Sequence, residues 1–329
     1  MNLKTDVTFI TACAVSDDIV YISTILDVIL EEYADEANVS RMFIYDFSEG
    51  IEGWYYHDVN FLAISVCYHN KHVYALGEEG CYEVYDGEES TYSFIDGSGL
   101  NEKWSYNHFG YLSTIKIINN QLFVLGYDSQ IYCNTPEWRL INNGLSTKSD
   151  SSINILDQDN ISVLDICKRD HLLFCVGHVG GNGLIAVYND TKWEILEKSV
   201  TILCAILTLE SGIILCAGYS GNLILIDHDN SIKNLSNEDI QSGFYSLTEF
   251  LGKVYIGSES GIYCLNDFNL EKIDVNDLIN NSTIIKVEAT EKYLWVFSEK
   301  HILRFDGSIW QIIEHPDNNE DLRESSSKL

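Results

Sequence analysis

The chain of 329 residues is short of several things, and each shortage excludes something. It has only two prolines, Pro136 and Pro316, so no proline-rich linker divides it. No apolar run is long enough to span a bilayer as a helix, and the start Met1-Asn2-Leu3-Lys4-Thr5-Asp6 lacks the apolar stretch of a signal peptide. Basic residues are scarce: Lys plus Arg is 20 against 50 Asp plus Glu, a formal net charge of −30. Such a field repels nucleic acid and anionic membranes, and no Lys/Arg cluster overcomes it locally, so we expect neither as a partner. The nine cysteines include no Cys-x-x-Cys pair. Most sit in apolar runs such as Leu172-Leu173-Phe174-Cys175 and are expected to be free, buried thiols in a reducing, cytoplasmic setting.

Catalytic and metal-binding patterns are scarce as well. There is no Gly-x-Ser-x-Gly elbow. His69-Asn70-Lys71-His72 lies in an expected hairpin and departs from the zinc-helix pattern. Asp227-His228-Asp229-Asn230-Ser231 with Glu238 has calcium-loop spacing, but Ile232 replaces the required glycine, so a polar turn is expected. Gly177-His178-Val179-Gly180-Gly181-Asn182-Gly183 lacks the Lys-Ser/Thr of a phosphate loop and is expected to be a flexible hairpin. No cofactor and no metal are expected.

What the chain has is a repeat. A β-rich run ending in a small residue recurs, as in Val73-Tyr74-Ala75-Leu76-Gly77 and Leu122-Phe123-Val124-Leu125-Gly126. The small residues fall at Ser23, Gly77, Gly126, Gly177, Gly218, Gly257 and Ser298, in steps of 39 to 54 residues. That is the period, or slightly more, of a four-stranded propeller blade, about 40–50 residues. Before each run lies a turn rich in residues that accept φ > 0, such as Asn70-Lys71, Asn119-Asn120 and Leu251-Gly252. After it, Gly80, Gly183, Gly221 and Gly261 introduce a third strand, which tends to end in an Asp or Asn turn followed by Trp. Phe305-Asp306-Gly307-Ser308-Ile309-Trp310 is the fullest copy, and Trp138 and Trp193 keep the step. These tryptophans are expected to pack between blades.

The pattern G-x-x-G-x-I-x-x-Y-D-G-x-x-W resembles repeats of bacterial β-propellers of the WD-repeat-like and Kelch-like superfamily. The resemblance implies an all-β, seven-bladed propeller of four-stranded antiparallel blades over residues 1–315, with an acidic tail, 316–329, expected to be disordered. It implies no activity, because propellers host enzymes, sensors and scaffolds alike.

Breaks in the repeat are where function is expected. The largest is 24–41, where Ile25, Leu26, Ile29, Leu30 and Tyr33 have helical spacing beside Glu31, Glu32, Asp35 and Glu36. It is expected to form either an acidic docking helix or a solvated one. Glu78-Glu79 and Glu88-Glu89 form a second acidic pair of hairpins, at opposite ends of one blade if the fold holds. The connector 142–161 is expected to be a lid or a plain loop. Asp165, Glu249 and Glu288, with Lys116 and Lys286 interspersed, lie on first strands, where the mixed signs point to local ion pairs. Besides a scaffold within a larger assembly, with no dominant charge role, two functions remain open. One is a monomeric, non-enzymatic protein binding a basic partner through these carboxylates, for instance an immunity protein or antitoxin neutralising a cationic toxin such as a nuclease. The other is an enzyme or small-ligand sensor acting at the mouth of the central channel. If the acidity serves only solubility, the first reading loses its motive.

Overall fold

A computed structural model describes residues 6–33, 39–99, 110–145, 160–199 and 201–319, with the side chains of 31–33 and 198 left out. The chain forms seven sheets of four antiparallel strands, each sheet in simple sequential order. It is a seven-bladed β-propeller. Blades 1 to 7 span residues 7–59, 63–94, 112–140, 161–199, 203–234, 244–272 and 284–314. The expected turns carry the left-handed backbone that tight hairpins need: φ is 49° and 68° at Asn70-Lys71, and 49° and 62° at Asn119-Asn120. Gly180-Gly181 (φ 54° and 83°) closes a two-residue hairpin between Leu172–Val179 and Asn182–Tyr188.

The blades fall into two compact units. One comprises residues 1–77, 83–91 and 248–329, and the other 78–82 and 92–247. In the second unit, Trp193 begins the outer strand of blade 4 and is 1% exposed. Its indole N–H donates to Ile141 O (2.6 Å) and it packs with Ile131, Cys133 and Leu145 of blade 3 and its connector, so this tryptophan packs between blades as expected. All nine cysteines are free, and burial pushes the thiols of Cys167 and Cys204 up to about 12, which makes them poor nucleophiles.

In the first unit, blades 1 and 7 pack together without sharing a strand. Single hydrogen bonds tie them: Phe9 N–H donates to Glu299 O (2.8 Å) and Val7 N–H to Asn318 Oδ1 (2.8 Å). Arg304 is 3% exposed; its guanidinium donates to Asp18 (2.6 Å) and lies over Tyr293 (3.5 Å) and Phe47 (4.0 Å). Replacing it with Leu removes a charge-assisted bond and three cation–π contacts, the third to Trp295 at 5.3 Å. Asp18 is half-exposed and keeps water as a partner, so the expected loss is about 1–3 kcal/mol, read as a lower urea midpoint. An unchanged midpoint would show that this seam does not depend on the arginine.

Two sequence expectations need correction. Thr24–Leu26 and Ser40-Arg41 are strand and not insertion. Val7, Thr8 and Phe9 pair with Leu26, Ile25 and Thr24, and Ile25 is buried, which satisfies both its backbone and its branched side chain. The helix is shorter, Asp27–Tyr33, and is pinned at its first residue, where the Asp27 carboxylate accepts from Thr8 Oγ1 (2.7 Å) and Lys300 Nζ (2.5 Å). Pro316–Asn318, expected within the disordered tail, form a 3-10 turn because Asn318 is recruited to Val7 and to Lys300 O. Residues 320–329 and 146–159 of the expected lid lie outside the described residues.

Candidate functional site

Gly126, Gly177 and Gly218, at or near the ends of second strands, permit a close main-chain approach to the start of the first strand, and the residue just after each small residue stands at that end of its blade. In blades 2 to 5 these residues are Glu78, Tyr127, His178 and Tyr219. Tyr127 N–H donates to Tyr111 O (2.9 Å), and Tyr219 N–H to Ile202 O (3.0 Å). Their backbones are thereby fixed while the rings stay out: Tyr111, Tyr127 and Tyr219 are 43%, 42% and 42% exposed. Tyr127 meets His178 edge-on at 6.3 Å, and Tyr219 meets Tyr245 edge-on at 5.9 Å. Burial lowers the His178 pKa, which keeps the ring neutral at pH 7, and its Nδ1 is enclosed with no hydrogen-bond partner among the described residues.

Glu78 adjoins this strip, since its carbonyl accepts from Leu112 N–H (2.8 Å). The Glu78 carboxyl is half-buried and its pKa is raised, first by burial and then by the charge of Glu79 beside it. A half-buried carboxylate next to another gains from a cation supplied by a partner. Tyrosine is suited to the same surface: it offers large apolar area, a polar tip and little rotamer entropy to lose. The same positions in blades 1, 6 and 7 are Thr24, Ser258 and Glu299, and they are tied internally. Thr24 and Ser258 donate to backbone carbonyls, and Glu299 O accepts from Phe9.

The structure separates the other expected binding carboxylates. Glu88 and Glu89 lie in the turn after Cys81–Tyr85, and Glu78 and Glu79 in the turn before it, so a strand lies between the pairs. Glu31 and Glu32 are in the helix of blade 1, with their side chains outside the description; Asp35 and Glu36 are outside it altogether. The first-strand charges work between blades. Asp165 accepts from Lys116 Nζ (2.6 Å) and from Ile206 N–H (2.9 Å), and Glu288 accepts from Ala14 N–H (3.0 Å). The Asp227–Ser231 stretch is a hairpin turn closed by Asp227 N–H to Ser231 O (2.9 Å).

No family model matches the chain. Its sequence is similar to that of the immune protein Tsi7 of Pseudomonas aeruginosa. The two are 25% identical over 208 residues, which is 62% of this chain and 65% of Tsi7, a little under two thirds of that protein's length. Among solved structures, the WD40 β-propeller domain of Doa1 superposes with a TM-score of 0.62 at 12% identity, covering 93% of each chain. A streptogramin B lyase superposes at 0.64 and 10% identity, covering 95% of this chain and 96% of that one. YCF48 bound to a D1 peptide gives 0.62 and 14%, covering 92% and 93%. At such identities these three speak to the fold alone.

The tyrosine strip was within reach of sequence reasoning. Aligning the copies on their small residues puts Glu78, Tyr127, His178 and Tyr219 in one column, the position that a repeat leaves free to vary. Tyr111 and Tyr245 carry no such signal, because they fall in connections and first strands of unequal length.

Proposed function

We propose that this protein is a non-enzymatic immunity protein that binds and neutralises a toxin bearing a basic surface. The likeness to the immune protein Tsi7 carries the reading. The net charge of −30 and the half-buried Glu78 beside exposed tyrosines support the choice of a basic partner, and the strip of blades 2 to 5 is the docking surface. Tyrosines fill the partner's hollows and supply affinity, while the carboxylates speed encounter and select for positive charge. A toxin whose substrate-binding face is basic is thereby both attracted and covered. The protein acts as a monomer in the cytoplasm, ahead of any damage there.

The test is capture of the partner from the native cell, with washes across a salt series, followed by co-expression. The expected result is a basic protein retained at low salt, toxic alone and harmless when this chain is made with it. Its association rate should fall at least tenfold between about 50 and 500 mM salt. Tyr127→Ala and Tyr219→Ala should each weaken binding by about tenfold, a typical anchor loss of 1–2 kcal/mol. Association insensitive to salt, or a captured protein that harms nothing, would overturn the reading.

A further inference from the structure

Blades 1 and 2 line a cleft of about 380 Å³ within the first unit. That is the lower end of the range for ligand pockets, roughly 300–1,000 Å³. Val15, Ile19, Ile44 and Val73 give it apolar walls, and Tyr21, Tyr68 and Tyr85 give it aromatic ones. Two of these rings are fixed. Tyr21 is 1% exposed and its hydroxyl is 3.1 Å from His57 Nε2, which is 3.2 Å from the buried carboxylate of Glu83. Tyr85 lies against the His57 ring at 4.7 Å and its hydroxyl donates to Gly87 O (2.8 Å). Tyr68 is 36% exposed at the mouth.

Asp86 forms one lip. Its carboxylate accepts from Glu88 N–H (2.9 Å) and Glu89 N–H (2.8 Å), and these bonds, that of Glu89 first, hold its pKa below the usual value and keep it charged. Glu88 and Glu89 are exposed on the same turn, so this lip carries three carboxylates. Lys71 stands on the lining as the opposing charge. A group with an apolar stem and a flat cationic head matches such a site: the stem lies along the aliphatic wall, and the head meets tyrosine faces and the carboxylate.

We propose that the cleft seats an arginine side chain of a basic protein partner, its guanidinium between the tyrosine faces and Asp86. A guanidinium fits better than an ammonium because it is planar, stacks on rings and is more weakly hydrated. The proposal rests on the basic-partner reading and gives that partner a point of attachment on the first unit.

The experiment is a titration of the isotope-labelled full chain with N-acetyl-arginine amide, followed by NMR, with N-acetyl-leucine amide and the carboxylate N-acetyl-leucine as comparisons. The arginine probe should shift the amides of Val73 and of 85–87 saturably, and bind at least threefold more tightly than the leucine amide. Asp86→Asn keeps an Oδ1 that can accept from Glu88 and Glu89, so the turn survives while the charge is lost. It should weaken arginine binding by about two- to fivefold. Tyr68→Ala, at an exposed position, should weaken it too. Three results would overturn the proposal: no saturable shift at the cleft, equal binding of the leucine amide, or preference for the carboxylate through Lys71. Because the probe needs no toxin, an empty cleft and a failed capture from cells are separate outcomes.

Discussion

Gly177→Ala is expected to destabilise the protein by about 3 kcal/mol or more. An added Cβ would lie 1.8 Å from the carbonyl oxygen of Ser162 and 3.0 Å from Val163 Cα. Both belong to the neighbouring strand Ile161–Arg169, whose register shifts between Val163 and Asp165, so a main-chain oxygen occupies the space a side chain would need. Overpacking against movable side chains costs about 1–3 kcal/mol, and a backbone obstacle leaves fewer ways to relax. Gly218→Ala should behave alike, with Ile202 O at 2.0 Å. Gly181→Ala separates sterics from backbone preference. It has nothing within 4 Å but a φ of +83°, so about 1 kcal/mol is expected. Urea denaturation of the three variants decides. If Gly177→Ala costs no more than Gly181→Ala, close approach is not what fixes the repeat's small residue.

Acidification from pH 7 to 5 should remove about 2 kcal/mol through His315 alone. This ring is 3% exposed among Phe9, Phe43 and Trp54, and its Nδ1 accepts from Asp317 N–H. Burial, and then the nearby charge of Arg41, pull its pKa down to about 3. The Asp317 carboxylate, 3.9 Å from Nδ1, favours the charged form, but burial outweighs it. In the unfolded chain the group titrates near its ordinary value of about 6.5. Below that pH the unfolded state binds a proton that the folded state refuses. The contribution is therefore intact above about pH 6.5 and is lost as pH falls toward 3, at roughly 1.4 kcal/mol per unit. Burial lowers His178 and His301 in the same sense. Relief of repulsion in so acidic a chain opposes all three, so the telling quantity is a difference. The pH 7-to-5 loss of stability in His315→Leu should be smaller than in the natural protein by about 2 kcal/mol. Equal losses would mean that the buried ring is protonated in the fold.

The architecture was legible because its determinants are local and recur. Glycines mark where strands approach, Asn70-Lys71 and its counterparts mark the hairpins, and Trp54, Trp138, Trp193 and Trp310 begin fourth strands. Ile25 and Leu26 misled, since apolar residues near a strand's end satisfy helical spacing too, and pairing with Val7 and Thr8 decides between the two. The separation of Glu78-Glu79 from Glu88-Glu89 followed from strand topology. The cleft did not, because it depends on residues brought together from two blades, and of the tyrosine strip only the column after the small residues could be read from the repeat.

Because every sheet is one unbroken stretch of chain, the gene can be altered a blade at a time. A duplication, loss or exchange with ends between blades severs no sheet. Within a blade, the residue after the glycine can change freely, as Glu78, Tyr127, His178 and Tyr219 already do, without touching the strands that carry it. On the proposed reading, the surface those residues form is open to revision in single codons while the scaffold beneath stays constant.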